Sequence, residues 1–145
     1  AQNLQICDMD EDLVKKLKNF RFRKEKDVAY MILKVDKNSM KIELDEDDEE
    51  EEMDDKIEEI QQRLPENQPR FVVISYVFKH TDGRISYPLC LVNYSPRGSH
   101  EKHIMMHSGS VKYVQNTSGI TKLYEIRDKD DFTEEWLLEK LKMFS

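Results

Sequence analysis

The stretch "RFVVISYVFKHTDGRISYPLCLVNYS", residues 70–95, decides the fold of this 145-residue chain. It holds two long apolar runs, 70–80 and 84–95, on either side of Thr81-Asp82-Gly83. An Asp-Gly pair between two apolar runs is a strong hairpin signal, so we expect two long strands at the centre of a sheet. Pro88 argues against an unbroken ladder, because proline has no N–H to donate and prefers edges or bulges.

Three further strands are predicted outside this hairpin. Residues 28–35, "VAYMILKV", form a continuous apolar run, which is typical of a strand covered on both faces. Turn-forming residues follow at 36–39, and residues 40–44, "MKIEL", then alternate apolar and polar like an outer strand with one wet face. Residues 120–127, "ITKLYEIR", form the last predicted strand.

Apolar residues recur at helical spacing in further segments, which predicts amphipathic helices. Asp10 and Thr133 are candidate caps, and Pro65 ends the second helix. The predicted helices cover 10–20, 53–64, about 99–117 and 134–144. The apolar face of the first helix carries Leu13, Leu17 and Phe20, and that of the second carries Met53, Ile57, Ile60 and Leu64. The apolar face of the fourth helix carries Leu137, Leu141 and Phe144.

The order of these elements indicates the fold class. Tight turns favour antiparallel neighbours, whereas a helix between two strands favours a crossover to a parallel neighbour. Strands that are apolar on both sides need helices on both faces of the sheet. The sequence therefore predicts a single domain, residues 1–145, of mixed α/β (α+β) class, with a central mixed sheet flanked by helices on both faces.

The charge of the chain is concentrated in one acidic segment. The net charge is −7, and residues 45–55, "DEDDEEEEMDD", contain ten acidic groups and no basic one. Removing those ten charges leaves +3 for the rest of the chain. Such a run repels itself, so we expect an acidic, solvated loop at about 45–55. The overall acidity argues against a nucleic-acid partner, and no apolar run is long enough to span a membrane.

The two cysteines and the first residues bear on the compartment. Cys7 and Cys90 are too few for a disulfide framework, which favours reduced thiols. The opening residues, "AQNLQICDMDED", are polar and acidic rather than a secretion signal. We therefore expect a cytoplasmic protein.

No enzyme motif is present, and one pattern resembles a metal site. The chain has no P-loop, dinucleotide fingerprint, G-x-S-x-G or Cys-x-x-Cys motif. His100, His103 and His107 fall within about 60° of helical arc, and zinc accepts imidazole. No glutamate that could act as a base lies between His103 and His107. The alternative is that the three histidines form a polar, solvent-facing stripe, which gains charge near pH 6. We predict no catalytic residue, metal or cofactor, and keep a metal-dependent enzyme as a distant alternative.

Met105 and Met106 raise a question about the third helix. Adjacent helical residues point about 100° apart, so both methionines are buried only if the helix is covered on two sides. One cover is the sheet, and the other is either a further element or a partner protein, for which the adaptable methionine side chain is well suited. Ser108-Gly109-Ser110 marks a point where this helix kinks.

Several stretches together form a recognisable pattern: "FRFRK" (20–24), "KVDK" (34–37), "LPENQPRFVV" (64–73), "DGRISYPLC" (82–90), "MMHSGS" (105–110) and "YEIRDKDDFTEEWLLEKL" (124–141). In order and spacing they resemble the glia maturation factor group of the actin-depolymerising-factor (ADF/cofilin) homology family. The resemblance runs from about residue 6 to the C-terminus. It implies the ADF-homology (cofilin-like) fold, a mixed sheet between helix pairs. It also implies a non-enzymatic protein that binds the actin-related protein 2/3 complex, inhibits nucleation and promotes debranching.

The resemblance also implies two surfaces. In this family the long kinked helix enters a groove on an actin-like subunit, and the segment before Asp10 and residues 127–131 border the same surface. The candidate partner-binding residues are Met105, Met106, Gly109, Ser110, Lys112, Arg127 and Asp128. The candidates for a second surface, which includes the hairpin loop, are Asp82, Gly83, Arg84, Arg21, Arg23 and Lys24.

The chain departs from the family pattern at the kink. His107-Ser108 stands where the family usually has Tyr-Ala, and Val111 stands where a basic residue is usual, with Lys112 one position later. A shift of one residue rotates a charge by about 100° around a helix. These departures bear on affinity more than on the location of the binding site. The main alternative function is cofilin-like binding or severing of actin monomers or filaments, because that activity shares the fold. In the leading hypothesis the partners are the actin-related protein 2/3 complex and actin at branch junctions, and we expect a monomer.

Overall fold

The structure, a computed structural model, describes residues 7–47 and 55–142. No helix in these two ranges is both long and apolar enough to span a membrane. The strands are β1 (Asp8–Met9), β2 (Ala29–Asp36), β3 (Lys41–Asp47), β4 (Arg70–Ser75), β5 (Phe78–Lys79), β6 (Ile85–Ser86), β7 (Leu89–Tyr94) and β8 (Lys122–Ile126). The helices are α1 (Glu11–Arg21), α2 (Lys56–Arg63), α3 (Glu101–Ser108), α4 (Val111–Ser118) and α5 (Glu134–Lys142), with a 3-10 turn at Lys129–Asp131.

Six of the strands form a mixed sheet in the order β1-β3-β2-β4-β7-β8. β1 with β3 and β7 with β8 are parallel pairs, and the other three pairs are antiparallel. The predicted mixed sheet is thus confirmed. The crossover through α3 and α4 joins β7 to β8, which are the expected parallel neighbours. The crossover through α2 joins β3 to β4, but these two strands are not neighbours. β2 lies between them and pairs antiparallel with both.

The two faces of the sheet carry separate halves of the core. Successive residues of a strand point to opposite faces. Accordingly, Ile32 and Val72 belong to the cluster that includes α2 and α5, whereas Leu33 and Phe71 belong to the cluster that includes α1, α3 and α4. The predicted helix-sheet-helix sandwich is therefore confirmed.

The central hairpin is interrupted rather than continuous. β4 and β7 pair in register, and the ribbon of β5 and β6 continues beyond them as a separate two-stranded sheet. At the break the Tyr76 N–H still donates to the Pro88 carbonyl oxygen at 3.0 Å, but Pro88 has no N–H to return the bond. Long uninterrupted strands were therefore the wrong prediction at this point, and Pro88 supplies the reason.

The acidic run is only partly loop-like in the described residues. β3 extends through Asp47, beyond the predicted end at residue 44, and ion pairs hold this extension. Asp45 Oδ2 lies 2.9 Å from Arg70 Nε, and Asp47 Oδ2 lies 2.8 Å from Lys16 Nζ. Asp55 caps α2 by accepting N–H bonds from the first turn. Residues 48–54, and with them Met53, lie outside the described residues.

The predicted helix ends have mixed outcomes. Thr133 Oγ1 accepts the Trp136 N–H at 3.1 Å, so the predicted cap of α5 is confirmed. Asp10 makes no side-chain capping bond to α1; its Oδ1 instead accepts from Lys41 Nζ at 2.9 Å. The short strand β1, which begins two residues before Asp10, was not predicted. Phe144 lies outside the described residues.

Candidate functional site

The third predicted helix is two helices joined at a kink. α3 ends at Ser108 and α4 begins at Val111, with Gly109 and Ser110 between them in helical conformation. Ser110 Oγ donates to the Met106 carbonyl oxygen at 2.8 Å, a side-chain bond to the preceding turn that bends helices. The predicted kink at this position is confirmed.

The two adjacent methionines have different environments. The Met106 side chain is 4 % exposed and packs in the core cluster of α1, α3 and α4, whereas Met105 is 64 % exposed. The interior of the fold therefore covers Met106 without a partner protein. Direct side-chain contact with a partner was predicted for Met106 and for Ser110, but both side chains are buried and have almost no surface to offer.

Four exposed residues on either side of the kink form a single line. Met105, Ser108, Gly109 and Lys112 are exposed and have the spacing i, i+3, i+4, i+7 of one helical face. We call these four residues the outer ridge. Ser108 was missed as a site residue in the sequence, although its helical spacing from Met105 was available as a signal.

The histidines do not form a solvent-facing stripe, so that prediction was wrong. His100 is exposed and accepts the Lys102 N–H on Nδ1 at 3.2 Å. His103 Nε2–H donates to the Val35 carbonyl oxygen at 2.8 Å, and His107 Nε2–H donates to Asn93 Oδ1 at 2.6 Å. The last two rings are buried because the shared helical face lies on the sheet. No group of three or more metal-ligating side chains occurs in the described ranges.

Burial also determines the charge of these rings. His107 stacks on the Phe71 ring with centroids 3.9 Å apart, and burial lowers the pKa of His107 to about 3, with the neighbouring His103 and Arg70 adding to the effect. Burial is likewise the main cause that lowers the pKa of His103. His107 is therefore neutral near pH 6, contrary to the prediction that it gains charge there.

Arg127 and Asp128 lie at the end of β8 and are exposed. They border a cleft of about 360 Å³ together with Arg97, which precedes α3 by a few residues. Asp128 Oδ1 accepts the Asp130 N–H at 2.9 Å, which orders the following turn. This segment lies near the start of the kinked helix. Of the segment before Asp10, only Cys7–Met9 is described, and β1 lies at the opposite edge of the sheet from β8.

The hairpin loop is exposed and internally ordered. The Asp82 carboxylate accepts the Arg84 N–H at 3.1 Å and pairs with Arg84 Nε at 2.7 Å. These two bonds lower the pKa of Asp82. Gly83 has φ +93°, which L side chains rarely adopt, so the loop needs glycine at this position. Arg84 thus projects from a loop of defined shape.

The basic residues at and after the end of α1 lie at the same end of the sheet as the hairpin loop, because Ala29, the first residue of β2, pairs with Ser75 at the end of β4. Lys24 is exposed. Arg21 covers Gly119 at the end of α4. Arg23 is mostly buried and bonds the Asp27 carboxylate at 2.6 Å and its carbonyl at 2.9 Å, so it is the least accessible of the three.

The comparisons with known proteins agree over nearly the whole chain. Residues 6–142 match the family model described as cofilin/tropomyosin-type actin-binding protein. The chain is 47 % identical over 144 residues to glia maturation factor beta of Homo sapiens, covering 99 % of each protein. It is 43 % identical over 140 residues to glia maturation factor of Drosophila melanogaster, covering 95 % of this chain and 97 % of the relative.

Two solved structures are similar to this one. The solution structure of glia maturation factor from Caenorhabditis elegans has a TM-score of 0.78 and 36 % identity, covering 97 % of this chain and 99 % of that one. The crystal structure of Streptomyces griseoflavus cofilin has a TM-score of 0.74 and 19 % identity, covering 93 % and 96 %, and shows a likeness of fold alone.

Proposed function

We propose, from the premise that this chain belongs to the cofilin/tropomyosin-type family of actin-binding proteins, that it regulates branched actin networks by binding the actin-related protein 2/3 complex. The membership agrees with the resemblance drawn from the sequence. In this proposal the protein inhibits nucleation and promotes debranching. It acts without catalysis, as a monomer, in the cytoplasm.

The observation that carries the proposal is the outer ridge. Met105 presents a large apolar side chain to solvent at 64 % exposure, beside two small residues and one cation. The small residues Ser108 and Gly109 let another protein's surface approach the helix backbone closely, and the flexible thioether adapts to its shape. The buried Met106 and Ser110 contribute indirectly, because they hold the kinked helix on the sheet.

The mechanism follows from differential affinity. A ligand shifts a conformational equilibrium only by the difference between its affinities for the two states. We place the outer ridge on an actin-like subunit, where the first actin of the daughter filament packs in the branch. The hairpin loop with Arg84 then contacts the adjacent actin, and this second contact favours the state in which the branch has been released.

Cofilin-like binding to actin itself is the second candidate, because cofilin shares this fold. The sparse basic charge of the 99–117 helix weighs against it, since Lys102 and Lys112 are its two lysines. Cosedimentation with actin filaments, run beside a pull-down of the branching complex, separates the two activities. The metal-dependent enzyme is not proposed, because His103 and His107 donate to Val35 and Asn93.

The test of the docking surface uses two exposed methionines. Met105→Asp places a charge on the outer ridge, whereas Met40→Asp makes the same change at an exposed methionine in the turn between β2 and β3. We expect Met105→Asp to weaken pull-down of the complex by about tenfold or more, as the loss of an interface anchor does, and to abolish debranching in microscopy. Equal losses in both variants would contradict the assignment to the ridge.

The second surface has its own variant. Arg84→Ala removes the exposed guanidinium of the hairpin loop, and we expect normal binding to the complex with slow release of branches. Arg84→Lys keeps the charge and should restore part of the release rate. A loss of binding with Arg84→Ala would show that the two surfaces do not act separately.

A further inference from the structure

A polar cavity of about 450 Å³ lies at the end of the sheet away from the hairpin loop. It is open to solvent and is bordered by the end of β2 and the following turn, by the loop before β4, and by the start of α3. Its functional side chains are Lys34, Lys37, Asn67, Gln68, His100 and His103. No residue of the outer ridge belongs to this lining.

The lining offers more donors than acceptors. Lys37 is exposed and makes no hydrogen bond or ion pair with the described part of the chain, and Lys34 Nζ lies 3.8 Å from Asp45 Oδ1. Gln68 Oε1 accepts from Arg70 Nη2 at 3.2 Å, which leaves the amide N–H₂ to donate. Asp36 is the one carboxylate among the described lining residues, and its Oδ1 already accepts the Asn38 N–H at 2.9 Å.

His103 adds a ring-nitrogen acceptor to this lining. The ring is 7 % exposed, and its Nε2–H donates to the Val35 carbonyl oxygen, so Nδ1 carries the lone pair of the neutral ring. Nδ1 has no hydrogen-bond partner among residues 7–47 and 55–142, and the ring borders the cavity. A ligand that fills the cavity therefore lies beside this acceptor as well as several donors.

The surroundings of His103 are positive. Arg70, Lys37 and His100 all act to lower the pKa of His103, in addition to its burial. The charged and titratable groups around the ring are Lys34, Asp36, Lys37, Asp45, Arg70, His100 and His107. Of these, Asp45 is paired with Arg70 at 2.9 Å and Asp36 is bonded within its turn, so the cavity favours a negative ligand.

We propose that this cavity binds a small phosphate-bearing anion. The Lys34 and Lys37 ammonium groups and the amides of Asn67 and Gln68 donate to its charged oxygens, as lysines commonly do with phosphate. A phosphate group has a pKa near 6, so a fraction carries one proton at neutral pH. That P–OH donates to His103 Nδ1, and the proton stays within the complex. The first turn of α3, with its positive dipole end, borders the same space.

The test is a titration of the full chain with inorganic phosphate at pH 7, followed by NMR of backbone amides and histidine ring nitrogens. Sodium chloride at matched ionic strength is the reference. We expect saturable shifts at Lys37, Asn38 and the His103 ring. Shifts that follow ionic strength alone, in chloride as in phosphate, would overturn the proposal.

Variants and related anions sharpen the test. Lys37→Ala should weaken phosphate binding about tenfold, the effect of losing roughly 1.4 kcal/mol of interaction. Lys18→Ala removes the same charge from an exposed position on α1 and should leave the affinity within about twofold; an equal loss in both variants would overturn the site.

Sulfate carries no proton at pH 7 and should bind several-fold more weakly than phosphate, and equal binding of the two anions would overturn the role of His103. O-phosphoserine, compared with inorganic phosphate, shows whether the site prefers a phosphorylated side chain or the free ion.

Discussion

Met105 and Met106 are adjacent in the chain and differ in what surrounds them. Side chains one residue apart on a helix point about 100° apart, so α3 directs Met106 onto the sheet and Met105 into solvent. The residue type is the same, and only the rotation around the helix differs. Neighbouring positions on this helix therefore differ in whether they belong to the core or to the surface, and substitutions at the two methionines should report on different properties.

The corresponding stability prediction compares alanine at both positions. Met106→Ala leaves a cavity in the core cluster and should lower the free energy of unfolding by about 2–4 kcal/mol. Met105→Ala removes an exposed side chain and should change it by less than about 0.5 kcal/mol. Urea denaturation followed by Trp136 fluorescence measures both. A large loss with Met105→Ala would mean that its side chain packs within the fold.

At the scale of elements, the end of α4 depends on a contact with α1. Gly119 has φ +72°, and the Arg21 guanidinium lies over it, so that a Cβ at residue 119 would be 2.5 Å from Arg21 Nη1. Glycine at this position thus serves two purposes: it adopts the left-handed cap conformation, and it lets Arg21 lie across the helix end. The same contact brings one of the basic residues of the second surface to the end of the kinked helix.

The effect of the contact can be separated from backbone strain by two glycine substitutions. Gly119→Ala and Gly83→Ala both place a side chain at positive φ, which costs roughly 1–2 kcal/mol. At Gly83 no atom lies within 4 Å of the added Cβ, whereas at Gly119 Arg21 must move. We therefore expect thermal unfolding to show the larger loss of stability for Gly119→Ala. Equal losses would show that Arg21 moves away at no cost.

At the scale of the whole molecule, the buried His107 links folding to pH. The pKa of His107 is about 3 in the folded protein, well below the usual value of 6.5. Between these two values the unfolded chain binds a proton that the native state excludes. This group's contribution is therefore fully present above pH 6.5 and is lost as the pH falls.

The size of the effect can be measured with one variant. From pH 6.5 to pH 5 one such group should remove on the order of 2 kcal/mol from the free energy of unfolding. His107→Gln removes the titration, so its stability should fall by less than that of the wild type over the same range. The lowered pKa values of Asp27, Asp36 and Asp82 affect stability mainly below about pH 4. These carboxylates therefore do not disturb the comparison between pH 6.5 and pH 5. Equal falls in both proteins would contradict the link to His107.

Much of the fold could be predicted because local patterns carry it. The helical spacing in α1, α2 and α5 and the Ser-Gly-Ser break all lie in contiguous residues, and the structure confirms them. The apolar runs around Asp82-Gly83 do form strands, but these are interrupted at Pro88 rather than continuous. β1 was missed because two residues are too short to show a period. The antiparallel pairing of β2 with β4 was missed because strand order depends on contacts between distant segments.

Residues close together in the chain were enough to predict the helix and strand periods, the family and the position of the kinked helix. Which side of that helix is buried became clear only from the contacts in the folded molecule. These contacts placed His103 and His107 against Val35 and Asn93, left Met105 outside, and paired Asp45 with Arg70. The physical reason is that a period shows that one face of a helix differs from the other, whereas burial depends on which distant element covers that face.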